Sequence, residues 1–192
     1  GLHDGHDPVP VRLDRLARSI RDGINLLYFD GSGRHLQAPA SSGIIALTKI
    51  SSDERTGSIT DADIVFNDRD FTFTVGGAAA TGAIDLRDTA VHEIGHLLGL
   101  EHTPLDGPAD VRPTMNPFDR GDWHGQGATL EADDIAGISV LYPEDGYLEA
   151  SASITGQVTD LYGTPLFGAH VVAENVDSGV RISTLSGAQL DS

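Results

Sequence analysis

The chain has 192 residues, 39% of them hydrophobic and 6% aromatic, and its 29 acidic against 12 basic side chains give a formal charge of −17. A chain of this length can bury one core of ordinary size without staples, and its negative charge repels phosphate backbones and anionic membrane surfaces, which excludes nucleic acid as a natural partner. It contains no cysteine, so disulfides, thiolate zinc ligands and a cysteine nucleophile are ruled out and any metal site must use histidine and carboxylate.

In chain order, Leu13, Leu16, Ala17 and Ile20 recur at helical spacing and Asp22-Gly23 breaks the pattern, which predicts a short helix over 12–20. Residues 24–29, 43–50, 59–66 and 71–75 are short β-favouring runs separated by Gly, Ser, Asp and Asn, and are expected to form four strands of one sheet. A helix is expected over 85–98, with Leu86, Ala90, Ile94, Leu97 and Leu98 on an apolar stripe, Asp85 and Asp88 in its first turn and Gly99 ending it. Residues 103–129 are rich in Gly, Pro and Asp without periodicity, the kind of long irregular stretch that lines clefts. A second helix follows over 130–141, closed by Tyr142-Pro143. After Gly146 the texture turns to alternating β-formers, with strands expected at 154–158, 170–174 and 181–185. No apolar run approaches the roughly eighteen residues of a membrane span, so no membrane insertion is expected.

Residues 92–102 read His-Glu-Ile-Gly-His-Leu-Leu-Gly-Leu-Glu-His. On a helix, His92 and His96 lie one turn apart on the same face, about 5–6 Å between Cβ atoms, so two imidazoles can reach one metal. Gly99 lets the chain leave the helix with positive φ and brings His102 back to the same ion. Three imidazoles leave a fourth position for water, the mark of a catalytic zinc, and Glu93 beside the first ligand is suited to take that water's proton as general base.

This pattern resembles the signature of the metzincin zinc peptidases in full, through His92, Glu93, His96, Gly99 and His102. Met115, the only methionine, stands thirteen residues after His102 within Pro-Thr-Met-Asn-Pro and is similar to the clan's Met-turn, whose methionine floors the metal site. Within the clan the chain looks most like the matrixins: residues 61–66 (Asp-Ala-Asp-Ile-Val-Phe) resemble their sheet segment, 83–86 their lead-in to the active-site helix, and 131–143 their C-terminal helix. The resemblance implies an α/β metzincin fold, a twisted, mostly parallel five-stranded sheet with an antiparallel edge strand plus an active-site helix and a C-terminal helix. It further implies a secreted, extracellular zinc endopeptidase acting on protein or peptide substrates, with one catalytic zinc and a monomeric catalytic domain over 1–146. The alternative is a binding or adhesion module that keeps the zinc but does not cleave; a ligand-only site has no use for Glu93.

Further expectations attach to single residues. Pro117, Phe118 and Trp123 are candidates for the wall of the pocket that accepts the side chain beyond the scissile bond. Asp61, Asp63, Asp68 and Asp70 are candidates for a structural calcium site. No tyrosine follows Met115 where astacins and serralysins add a zinc ligand, and a cysteine-based latency device cannot operate here; Asp4 or Asp7 is a candidate carboxylate cap on the zinc. The segment 147–192 resembles the opening strands of carboxypeptidase-regulatory-like β-sandwiches, and is expected to begin an accessory domain that continues past Ser192.

Overall fold

The computed structural model describes residues 22–75, 82–107, 111–118 and 127–187. The predicted helix at 12–20, Asp4, Asp7 and Trp123 lie outside them.

Strands β1 (Leu27–Phe29), β2 (Ala46–Ser52) and β3 (Ile59–Phe66) form one sheet in the order β1-β3-β2. β1 runs parallel to β3, and β2 runs antiparallel to it as an edge strand, with a register irregularity at Ser51/Ser52. β3 is the centre: from Asp61 to Phe66 every residue is buried, and Ala62, Ile64, Val65 and Phe66 supply much of the core. A strand covered on both faces carries its apolar residues in a run rather than in alternation. Phe29, Phe66 and Phe73 close one end of the sheet with ring centroids 5.1–5.7 Å apart.

The fourth expected strand departs from the prediction. β4 is only Phe73–Thr74, and it pairs in parallel with a strand that was not anticipated, β5 (Ile84–Asp85), in a separate two-stranded ladder. The turn at 67–71, held by hydrogen bonds from Asp68 N to Phe66 O and from Phe71 N to Asn67 O, carries the chain out of the first sheet before β4 begins. Among the described residues the sheet is therefore three strands plus a short pair.

Helix α1 (Leu86–Leu97) follows β5 directly, and α2 (Ala132–Leu141) follows the irregular stretch as expected. A one-turn helix α3 (Tyr147–Ala150) was not foreseen, and residues 154–158 form no strand. β6 (His170–Glu174) and β7 (Arg181–Leu185) pair as an antiparallel hairpin at the predicted positions. Among the described residues no helix is long and apolar enough to cross a membrane.

The loop leaving β1 is organised by one carboxylate. Buried Asp30 accepts hydrogen bonds from the backbone of Ser32, Gly33, His35 and Leu36 and from the Ser32 hydroxyl, at 2.7–3.1 Å. Burial alone would raise its pKa, but these donors outweigh it and hold the carboxyl down at about 2. A folded-state pKa below the unfolded value near 4 stabilises the native state above about pH 4, and that contribution is lost as pH falls toward 2. Asp30→Ala is thus expected to cost about 2 kcal/mol at neutral pH. Urea unfolding at pH 7 and pH 2.5 checks this, since the difference between parent and variant should shrink at the lower pH.

Candidate metal centre and cleft

Helix α1 is set by its caps. The Asp85 carboxylate accepts from Arg87 N at 2.8 Å and Asp88 N at 3.4 Å, satisfying donors of the first turn. At the other end Gly99 adopts φ +96°, with Gly99 N bonded to His96 O and Leu100 N to Gly95 O, each at 2.9 Å. This paired bonding ends the helix with a left-handed residue, a conformation that strains any side chain larger than hydrogen. The chain reverses, and His102 returns to the helix.

The result is a convergence of three rings. His92 Nε2 lies 3.2 Å and His96 Nε2 3.1 Å from His102 Nε2. His92 Nδ1 is 2.6 Å from Thr114 O and His96 Nδ1 is 2.8 Å from Leu100 O. A carbonyl can only accept, so both Nδ1 atoms carry the proton and both Nε2 atoms present lone pairs to the same point. His102 can donate to one of them at most; a cation among the three removes the conflict. Zinc bonds of about 2.0–2.1 Å in a tetrahedron separate the ligand nitrogens by about 3.3–3.4 Å, close to the spacing found here. Burial, with smaller contributions from the other two rings, pushes His92 down to about 4, and burial also lowers His102. Neutral imidazole is the form that binds metal. The triad therefore fits a zinc site, and among the described residues it is the one group of three or more His, Asp or Glu side chains close enough to hold an ion.

Glu93 is 5% exposed and borders the same cleft. Its Oε2 accepts from the Thr48 hydroxyl at 2.6 Å, and the same Thr48 Oγ1 lies 3.0 Å from Glu93 O. Burial raises the Glu93 pKa, opposed by the Thr48 bond and the neighbouring His96. Thr48 comes from β2, so the edge strand and the helix jointly hold the carboxylate; nothing in the local sequence around either residue announces that contact.

Met115 is 3% exposed and lies under α1, where a Cβ on Gly95 would run into its sulfur. A side chain at position 95 would have to push the Met115 thioether aside. The Met115 turn is itself fixed by buried Asp134 of α2, which accepts from Thr114 N at 2.9 Å, Met115 N at 3.0 Å and Glu131 N at 2.9 Å. Thr103 N bonds Met115 O at 3.0 Å, so the turn also holds the segment after His102.

The cleft has a volume of about 540 Å³ and runs between residues 43–48, which lead into and begin β2, and the α1 face bearing Asp88, Thr89, His92 and Glu93. Pro117 borders it. Phe118 is 64% exposed and is not among the described residues that line it. The four candidate calcium ligands do not converge either. Asp63 accepts from Leu26 N, Asp70 pairs with Arg69 and bonds Asn67 and Ser41 N, and Asp68 lies beyond the end of the strand that holds Asp61 and Asp63. Asp63 and Asp70, which looked like part of a cation cluster in sequence, are spent on separate local bonds.

The stripe predicted to bury α1 also needs correction. Ile94 and Leu98 are 40% and 37% exposed, while Asp88, Glu93 and Gly95 are the buried positions. The helix turns its chemistry inward, and Gly95 supplies the packing surface for Met115.

Comparison with known proteins agrees with this geometry. The family model described as Matrixin matches residues 21–143. Metalloendoproteinase 5-MMP of Arabidopsis thaliana is 30% identical over 136 residues, covering 69% of this chain and 35% of its own length. Stromelysin-3 of Xenopus laevis is 31% identical over 141 residues, covering 73% of this chain and 23% of its own. Metalloendoproteinase 1 of Glycine max is 47% identical over 62 residues, covering 32% and 18% respectively. The chain thus matches about a third or less of the length of these relatives. No solved structure matches it with comparable significance.

Proposed function

This chain belongs to the matrixin family, and from that premise we propose that it is a zinc-dependent endopeptidase that hydrolyses peptide bonds in proteins, with His92, His96 and His102 as metal ligands and Glu93 as general base. The observation that carries the reading is the convergence of three Nε2 atoms beside a buried carboxylate in one open cleft. When bound there, zinc supplies Lewis acidity, polarising a carbonyl and making water acidic enough to lose a proton near neutral pH.

The chain's own residues do the rest. Thr114 O and Leu100 O hold the His92 and His96 rings in the tautomer that leaves Nε2 free. Glu93 takes a proton from the attacking water and returns it to the departing amine, its carboxylate steered by Thr48. β2 has no strand partner on its outer side among the described residues, and its residues line the cleft. An extended substrate can add to that edge through main-chain hydrogen bonds, which suits a peptidase that reads backbone as well as side chains. Pro117 remains the candidate for the pocket wall. The acidic surface and the family resemblance support an extracellular setting, with a catalytic unit over 1–146 and the β-rich segment 147–192 as an appendage.

Incubating the zinc-loaded protein with denatured casein tests this: fragments with new N-termini are expected. Casein left intact by protein holding one zinc would instead favour a binding module. Thr48→Val is expected to leave zinc content unchanged and to lower kcat about 10-fold with little change in KM, because it misorients the base without touching the ligands. Steady-state kinetics on a quenched peptide would show a KM effect instead if Thr48 served only to bind substrate.

A further inference from the structure

The trailing hairpin is tied to the metal centre one residue from its third ligand. Thr103, which follows His102, is 8% exposed, and its Oγ1 lies 2.8 Å from Ser183 Oγ on β7. Ser183 N in turn donates to Asp133 Oδ1 at 2.5 Å, and Ser183 Oγ makes a longer contact of 3.4 Å with Asp133 Oδ2. Arg181, two residues earlier on the same face of β7, donates from Nη2 to Asp106 O at 3.1 Å. The stretch 103–106 is therefore held on one side by Met115 O, through Thr103 N, and on the other by β7.

The hydrogen-bond directions fit one arrangement. Asp133 is a carboxylate and accepts both Ser183 donors, which leaves the Ser183 oxygen to accept the proton of Thr103 Oγ1; Thr103 Oγ1 in turn accepts from Leu105 N at 3.2 Å. Asp133 and Asp134, adjacent on the first turn of α2, thus divide the work: Asp134 secures the Met115 turn beneath the helix, and Asp133 secures the hairpin that braces the His102 segment. His92 and His96 are fixed by their helix and by carbonyls on Nδ1, whereas no bond to His102 Nδ1 is found among the described residues. His102 is also the exposed member of the triad. Its position depends on the backbone it hangs from.

We propose that Ser183 is a positioning residue for the metal centre, and that the hairpin β6–β7 is an intramolecular brace that keeps His102 on the ion. This rests on the zinc site proposed above. The brace lies outside the stretch matched by the family model, which ends at residue 143. It makes the trailing segment part of the metal site's support in addition to being an appendage.

The test uses the full chain loaded with zinc, and compares the parent with Ser183→Ala, Ser183→Thr and Thr184→Ala, the last a neighbour on the exposed face of β7. Zinc release to a chromogenic chelator is expected to be about 10-fold or more faster in Ser183→Ala, near the parent rate in Ser183→Thr, which keeps the hydroxyl, and unchanged in Thr184→Ala. The cobalt-substituted Ser183→Ala protein should show an altered visible absorption band, reporting a changed ligand at the metal, while circular dichroism stays that of the parent. Equal release rates and identical cobalt spectra across all four proteins would overturn the brace and leave the peptidase reading intact. A parent protein that binds neither zinc nor cobalt would overturn both.

Discussion

Replacing Glu93 with glutamine is expected to leave one zinc per chain and to lower kcat/KM on a peptide substrate by about 10²–10⁴-fold. The amide keeps the size of the side chain and can still accept the Thr48 hydroxyl, so the packing around Glu93 survives. What it loses is the ability to take a proton, which at about 1.4 kcal/mol per factor of ten is a barrier increase of about 3–5 kcal/mol. None of the three imidazoles bonds to the Glu93 side chain, so metal content should not follow activity downward. Parallel zinc analysis and peptide kinetics check the result. Activity within a few-fold of the parent would remove Glu93 from the proton-transfer role.

Asp134→Ala is expected to be the most destabilising single change near the site. The carboxylate is 3% exposed and satisfies three backbone donors, those of Thr114, Met115 and Glu131. Each buried donor left without a partner costs about 1–3 kcal/mol, and partial relaxation keeps the total near 3–5 kcal/mol. For a chain of this length that lowers Tm by about 10 °C. The effect should also reach the metal, because Thr114 O is the acceptor that fixes His92 Nδ1, and zinc affinity should fall about 10–100-fold. Calorimetry with and without zinc separates the two: zinc should raise Tm less in the variant than in the parent, since a weaker ligand contributes less at a given concentration.

The histidine triad was legible because its logic is local. Two histidines one helical turn apart, a glycine that ends the helix and a third histidine just beyond need no distant information, and the structure places all three as the spacing requires. The strands over 59–66, 170–174 and 181–185 were equally plain, being bounded by turn residues on both sides. What failed were inferences that depend on tertiary context. The apolar stripe on α1 pointed to the wrong buried face, because the helix buries Glu93 against Thr48 and Gly95 against Met115, and no periodicity of apolar residues encodes that choice. β4 left the sheet because pairing partners are decided by the path of the chain, and the β5 partner is only two residues long. The acidic residues 61, 63, 68 and 70 looked like a cation site because composition says nothing about which backbone donors each carboxylate will meet. Thr48, Asp134 and Ser183 stayed hidden for the same reason: each acts on a residue between 19 and 80 positions away in sequence.

The most direct test of the central claim is to strip the chain of metal, add zinc in steps, and record peptide hydrolysis at each step. Activity absent in the metal-free protein, rising with zinc and reaching its plateau at one equivalent, is the result expected of a peptidase whose single ion sits on His92, His96 and His102. Hydrolysis already complete without metal, or none after one equivalent is bound, would contradict it.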